Sequence, residues 1–211
     1  YTDERRNILH EGEVLLRREQ VLLPGDHNIE NYMAAICAVW DVVSLEDIRA
    51  VAGSFAGLEH RLELVRTLRG VRYYNDSIAS SPTRTMACLN SFDQELILLL
   101  GGYDKHIPFD ELGEALCDKA KAVVLVGHTA NAIESAIRNA KNYALHAPLI
   151  LKGDNMEQAV EAAAQIAVEG DVVVLSPACA SFDLYRNFME RGQTFKECVA
   201  SLKDHTQERK G

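Results

Sequence analysis

Three stretches of this sequence gather groups able to hold a phosphate or a carboxylate, and each follows an apolar run. The first is 71–85, V-R-Y-Y-N-D-S-I-A-S-S-P-T-R-T. Val71 to Tyr74 are β-branched, aromatic or flank such residues and read as a short strand. Ser81 followed by Pro82 is a helix start signal. A strand, a hydroxyl-rich turn and a helix N-terminus collect unpaired N–H groups and the positive end of a dipole, which suits an anion. The second stretch, Gly101-Gly102-Tyr103-Asp104-Lys105, lets backbone approach a ligand and places a cation beside it. The third, S-P-A-C-A-S-F-D at 176–183, is lined by small residues that leave room for a ligand. Cys179 could serve there as a nucleophile at a strand-to-helix elbow. Alanines flank it, and no neighbouring histidine offers a base, so an inert buried cysteine is the favoured reading. His60-Arg61 lies at a linker, where ligands often bind between domains. Asn28 and Asn31, one helical turn apart, read equally as a cap with a polar face, and Asp76 as a turn former.

The elements that position these groups change rhythm along the chain. Residues 8–23 read as two or three short antiparallel strands, and Leu23-Pro24-Gly25-Asp26 as a turn. A helix follows from His27-Asn28 to about Trp40, with Met33, Ile36, Cys37 and Trp40 at helical spacing. Ser44 caps a second helix with Asp47 in capping-box position. From Leu62 onward, strands at 62–68, 71–74, 96–100, 122–126, 148–151 and 172–175 are interleaved with helices. Those helices are expected from Pro82, over 109–120, 129–140 and 155–168, and from Asp183 to Leu202. Apolar runs without alternation belong to strands covered on both faces, so the sheet is mostly parallel. The fold class is α/β, a doubly wound, Rossmann-like domain in which ligands lie beyond the carboxyl ends of the strands. The expected boundary falls between 1–57 and 58–211.

Composition narrows the partners. The 211 residues carry a net charge of −9, which disfavours a nucleic acid held through phosphates. Five cysteines, widely spaced and without C-x-x-C, suggest neither a disulfide framework nor a zinc site, so no metal ligands are assigned and a reducing cytoplasm is expected. No run approaches the length of a membrane span, and the first residues are not a signal peptide. A starting Met is missing, so a piece of a longer chain is expected. Neither G-x-G-x-x-G nor G-x-x-x-x-G-K-[ST] occurs, so any nucleotide phosphates would be gripped elsewhere.

Five segments taken together carry a family resemblance: L-P-G-D-H-N-I-E-N at 23–31, L-E-H-R-L-E at 58–63, Y-N-D-S at 74–77, L-L-L-G-G at 98–102 and S-P-A-C-A-S-F-D-L-Y-R-N-F-M-E-R-G at 176–192. The chain resembles the C-terminal part of the Mur ligase family, and most of all its branch that adds D-glutamate to UDP-N-acetylmuramoyl-L-alanine. The resemblance implies that 1–57 is the end of a central P-loop ATPase domain and 58–211 an amino-acid-binding α/β domain. It implies ATP and Mg2+ as cofactors, held mainly by parts of the protein absent here, and a role in peptidoglycan synthesis. It also implies that Asn28, Asn31, His60, Arg61 and Asp76 face the nucleotide, and that Ser80, Lys105, Ser181 and the Phe188 backbone form the D-glutamate pocket. Arg61 and Lys105 would be the catalytic cations.

Many relatives of that branch read N-D-S-K-A-T-N where this chain has N-D-S-I-A-S-S at 75–81. Ser80 keeps the hydroxyl, whereas Ile78 loses a cation, and Arg84 could supply it. The alternatives are another Mur-type or folylpolyglutamate-type ligase domain, a non-catalytic regulatory α/β domain, and a free-standing hydrolase using Cys179. Without a P-loop, these 211 residues alone are expected neither to hydrolyse ATP nor to form the amide. Ligase turnover by the purified chain in a phosphate-release assay would overturn that assignment.

Overall fold

The computed structural model describes residues 1–23, 25–55 and 57–203. They fall into two compact units that divide between Gly57 and Leu58. In the first, β1 (Ile8–His10) and β2 (Glu13–Leu16) pair antiparallel. A third strand does not form. Instead Arg18–Gln20 makes a single 3-10 turn, closed by the Gln20 side chain accepting the Arg17 N–H at 2.9 Å. The proposed turn at Pro24 falls on a residue outside the described ones. Helices α1 (Asp26–Val39) and α2 (Leu45–Ser54) follow. Ser44 caps α2 by accepting the Asp47 N–H at 3.1 Å. The buried stripe of α1 runs through Ile29 and Ile36 with Met33 beside it, whereas Cys37 and Trp40 are exposed. The apolar face is therefore set one turn earlier than the spacing of Met33, Ile36, Cys37 and Trp40 suggests.

The second unit is built on a six-stranded sheet. In chain order its strands are β3 (Glu63–Leu68), β4 (Val71–Asn75), β5 (Leu96–Leu100), β6 (Ala120–Leu125), β7 (Leu149–Lys152) and β8 (Val172–Leu175). In space the order is β3-β4-β8-β5-β6-β7. Only β3 is antiparallel, joined to β4 through Arg69 and Gly70, whose φ of 51° and 73° suit a two-residue hairpin turn. The other five strands are parallel.

Successive residues of the central strands point to opposite faces, and both faces are apolar. Leu96, Leu98, Leu100, Val123, Leu125 and Val174 pack with α3 (Pro82–Leu89), α4 (Asp110–Lys119) and α5 (Ala130–Arg138). Ile97, Leu99, Val124, Val173 and Leu175 pack with α6 (Met156–Ile166) and α7 (Phe188–Ser201). The doubly wound α/β class expected from the apolar runs is the one observed. Helix α7 begins five residues later than expected. The Ser181 carbonyl accepts the Leu184 and Tyr185 N–H groups, which holds 181–187 as a loop, and Asn187 then caps the helix through the Glu190 N–H.

The topology singles out one place on this sheet. After β4 and β5 the chain turns to helices on one face, whereas after β8, which lies between them, it turns to α7 on the other. The carboxyl end of β8 is thus a switch point, and the loops there part to leave a crevice. Among the described residues no helix is long and apolar enough to cross a membrane. Truncating a central, wholly buried residue, Leu98→Ala, is expected to cost about 2–5 kcal/mol in urea unfolding of the parent protein. At the edge, Leu149→Ala, half exposed, should cost well under half of that. Equal costs would mean that the sheet's centre is not where the core lies.

Candidate functional site

Three loops meet at the switch point: 76–81 after β4, 101–106 after β5 and 176–187 after β8. A buried guanidinium joins two of them. Arg191, in the first turns of α7, donates from Nε to Ser77 Oγ (3.0 Å) and from Nη2 to the Ser77 carbonyl (2.8 Å). Its Nη1 donates to the Cys179 and Ala180 carbonyls at 3.0 and 3.1 Å. Burial pulls the Arg191 pKa down to about 10, so it stays charged at neutral pH. Ala178 holds a left-handed φ of 59°, a conformation costly for alanine, just before the two carbonyls that face Arg191. The third loop approaches through Gly102, whose N–H donates to Thr129 Oγ1 at 3.1 Å. A side chain at Gly102 would overlap the Ala180 carbonyl oxygen.

A second strained turn carries Arg61. His60 and Leu62, on either side of it, have φ of 65° and 45°. Each is pinned by hydrogen bonds. The His60 N–H donates to Glu63 Oε2 (3.0 Å), its carbonyl accepts the Ile78 N–H (3.2 Å), and the Leu62 N–H donates to Asp76 Oδ1 (3.3 Å). The other Asp76 oxygen accepts from Ser176 Oγ at 2.9 Å. Asp76 therefore ties three segments together from inside. Burial pushes its pKa up to about 7, against the hydrogen bonds from Ser176 and Leu62 and the nearby charge of Arg61. His60 is buried as well, with Nδ1 2.9 Å from Asn75 Nδ2. Since an amide nitrogen only donates, His60 Nδ1 accepts and Nε2 carries the proton.

The remaining candidates divide clearly. Ser181 is buried and Ser80 half-buried, and among the described residues neither hydroxyl has a hydrogen-bond partner. Lys105 is exposed and unpaired among the described residues. Phe188 opens α7, and its carbonyl accepts Ser77 Oγ at 2.7 Å. The structure thus places Ser80, Lys105 and Ser181 on the loops that follow β4, β5 and β8, and Phe188 at the start of α7. Asn28 and Asn31 belong to the first unit, where Asn31 Nδ2 donates to Asn28 Oδ1 at 3.2 Å. Arg84 lies over the turn, with Nη1 donating to the Ile78 carbonyl at 3.1 Å. Cys179 is buried in surroundings that disfavour a reactive thiolate. Burial pushes its thiol up to about 11, and its partner is Thr129 Oγ1 at 3.1 Å.

Glu59, His60 and Glu63 bring three potential ligand atoms within 4.8 Å of one another. The cation there is already Lys196, whose Nζ lies 2.7 Å from Glu63 and 2.9 Å from Glu59. Although burial works against it, hydrogen bonds from the His60 N–H and Lys196 hold Glu63 below the ordinary carboxylate range. The cluster is an internal ion pair and does not suit Mg2+. Sequence reasoning passed over Arg191, Ser77 and Lys196. Arg191 was detectable in principle, because it shares the buried stripe of α7 with Phe195 and Val199 at i, i+4 and i+8.

These features define a doubly wound α/β domain with polar loops gathered at a topological switch point. Residues 60–179 match the family described as Mur ligase, glutamate ligase domain, and the chain belongs to that family. It is 48% identical over 200 residues to a UDP-N-acetylmuramoylalanine--D-glutamate ligase of Acetivibrio thermocellus, covering 92% of this chain and 43% of the relative. The corresponding ligase of Clostridium perfringens is 46% identical over 192 residues, covering 90% and 42%. The chain thus spans less than half the length of the curated relatives it matches. Among solved structures, the Mycobacterium tuberculosis folylpolyglutamate synthase complexed with ADP shares the fold with a TM-score of 0.57 at 15% identity, covering 87% of this chain and 42% of that one. The Thermotoga maritima folylpolyglutamate synthase has a TM-score of 0.56 at 16% identity, covering 91% and 42%.

Asp76 makes a prediction about pH. An acid whose folded pKa is raised binds its proton more tightly in the folded state. Folding stability then falls as pH rises from the ordinary carboxylate range to about 7, and the cost is complete above that. Asp76→Asn, which keeps an acceptor for Leu62, should remove this slope, at most about 1.4 kcal/mol per pH unit. The difference between wild-type and variant urea unfolding free energies at pH 5 and pH 8 checks it. An unchanged difference would mean that Asp76 is ionised throughout.

Proposed function

We propose that this chain is the C-terminal part of an ATP-dependent ligase that joins D-glutamate to UDP-N-acetylmuramoyl-L-alanine in peptidoglycan synthesis, in the cytoplasm. The observation that carries the reading is the placement, on loops that follow adjacent strand ends, of a cation and two hydroxyls unpaired among the described residues, together with a helix start. A dicarboxylate amino acid asks for those groups. The high identity to curated D-glutamate ligases supports the choice of amino acid.

In this reading the residues 1–57 close a central ATP-binding domain, and Asn28 and Asn31 reach the nucleotide from there. ATP and Mg2+ are gripped mainly by a P-loop outside this chain. His60, Arg61 and Asp76 serve the nucleotide side of the second unit. Arg61, projected by a strained turn, supplies a cation to the phosphates. His60 and Asp76 act by holding that turn, since both Asp76 oxygens already accept hydrogen bonds. Lys105, Ser80, Ser181 and the N–H end of α7 at Phe188 hold the two carboxylates of D-glutamate.

The reaction then needs little covalent help. ATP phosphorylates the substrate carboxylate, and the D-glutamate amine attacks that acyl phosphate. A C–N bond forms, the C–O bond to phosphate breaks, and the amine gives up a proton. Catalysis is positioning and charge neutralisation. Lys105 fixes a carboxylate so that the amine is aimed.

In the full-length enzyme Lys105→Ala should raise the KM for D-glutamate about 10- to 150-fold, the loss of a hydrogen bond to a charged group worth about 1.5–3 kcal/mol. The KM for ATP should hardly move. Steady-state kinetics with each substrate varied in turn decides it, and a change confined to ATP would reassign Lys105.

A further inference from the structure

Arg191 is 3% exposed, and its four hydrogen bonds all end on neutral oxygens: two on Ser77 and one each on Cys179 and Ala180. Asp183, the acid that acts on it through space, has Oδ2 turned to the His128 N–H at 3.3 Å. A buried cation without a hydrogen-bonded carboxylate is costly, so its burial asks for a reason. The D-glutamate reading leaves it unused.

We propose that Arg191 is a positioning residue that sets the spacing of the amino-acid pocket. The inference rests on that reading. Nε and Nη2 hold the turn at Ser77, three residues before Ser80. Nη1 holds the carbonyls of Cys179 and Ala180, immediately before Ser181. Ser77 Oγ, accepting from Nε, spends its own proton on the Phe188 carbonyl at 2.7 Å and so fixes the start of α7. The loop leading to Lys105 passes over the same group, because a Cβ at Gly102 would lie 3.2 Å from Nη1. Every wall of the pocket is thus referred to one planar fork. The guanidinium fixes the directions of its donors, whereas a lysine ammonium offers three donors from a single point and cannot span Ser77 and Ala180 together. Small displacements of positioning groups are known to cost large factors in rate.

The test uses the full-length enzyme with two variants, Arg191→Lys and Ser77→Ala, and measures KM for D-glutamate, KM for ATP and thermal stability. Arg191→Lys should raise the D-glutamate KM about tenfold or more with the ATP KM within about twofold. Ser77→Ala breaks only the links through Oγ, to Nε and to Phe188, and should give a smaller rise, about threefold, with the same selectivity. A purely structural arginine would lower thermal stability while leaving the D-glutamate KM alone, and that result overturns the proposal. So does an equal rise in both KM values. Should Arg191→Lys fail to fold, Ser77→Ala decides by itself, an unchanged D-glutamate KM refuting the proposal. The wild-type enzyme tests the underlying reading separately. If it accepted another amino acid in place of D-glutamate, that reading would fail, and the same split of KM values would be measured on that amino acid.

Discussion

A strand buried on both faces has no position for a polar side chain. Val172–Leu175 is covered by helices above and below and by β4 and β5 at its sides, and its four residues are all apolar. Polar groups first become affordable where the strand ends, and there the chain changes composition at once to Ser176-Pro177-Ala178. The same happens at Asn75 and at Gly101. Because the loops after β4 and β5 leave to one side and that after β8 to the other, these endings surround a crevice. The chemistry of the second unit is concentrated by this packing constraint, before any particular side chain is considered.

Two buried charges hold that rim, and burial treats them differently. Arg191 remains charged at neutral pH, because even a lowered arginine pKa stays far above 7. It can therefore serve as a fixed fork. Asp76 is pushed up to about 7, so its charge is marginal, and its role is better seen in the geometry of Leu62 and Ser176 than in electrostatics. Strain is distributed in the same way. His60, Leu62 and Ala178 adopt left-handed conformations beside Arg61 and beside the carbonyls that face Arg191, and hydrogen bonds to Glu63, Ile78 and Asp76 hold the first two.

Much of this was legible in the sequence for identifiable reasons. The six strand runs and the Ser81-Pro82 helix start are local signals, and the doubly wound class follows from their alternation. The strand endings also mark where the loops 76–81, 101–106 and 176–187 begin. What could not be read was which groups already have partners. Asp76 reads in the sequence as a turn former, but in three dimensions its oxygens accept from Leu62 and Ser176. Glu59 and Glu63 find their cation in Lys196, over 130 residues away in the chain, which no local pattern announces. The start of α7 was misplaced because the loop at 181–187 is stabilised by the Ser181 carbonyl and the Asn187 cap, not by composition. Arg191 was overlooked because an arginine in a helix is ordinarily solvated, and only its phase with Phe195 and Val199 marks it as buried.

The central claim is that the carboxyl rim around β8 is built to receive the carboxylates of an amino acid. A crystal structure of the full-length enzyme with D-glutamate and ADP tests it most directly. The account predicts carboxylate oxygens within hydrogen-bonding distance of Lys105 Nζ and Ser181 Oγ, with the Arg191 contacts to Ser77, Cys179 and Ala180 intact. D-glutamate bound away from these three loops, touching neither Lys105 nor Ser181, would contradict it.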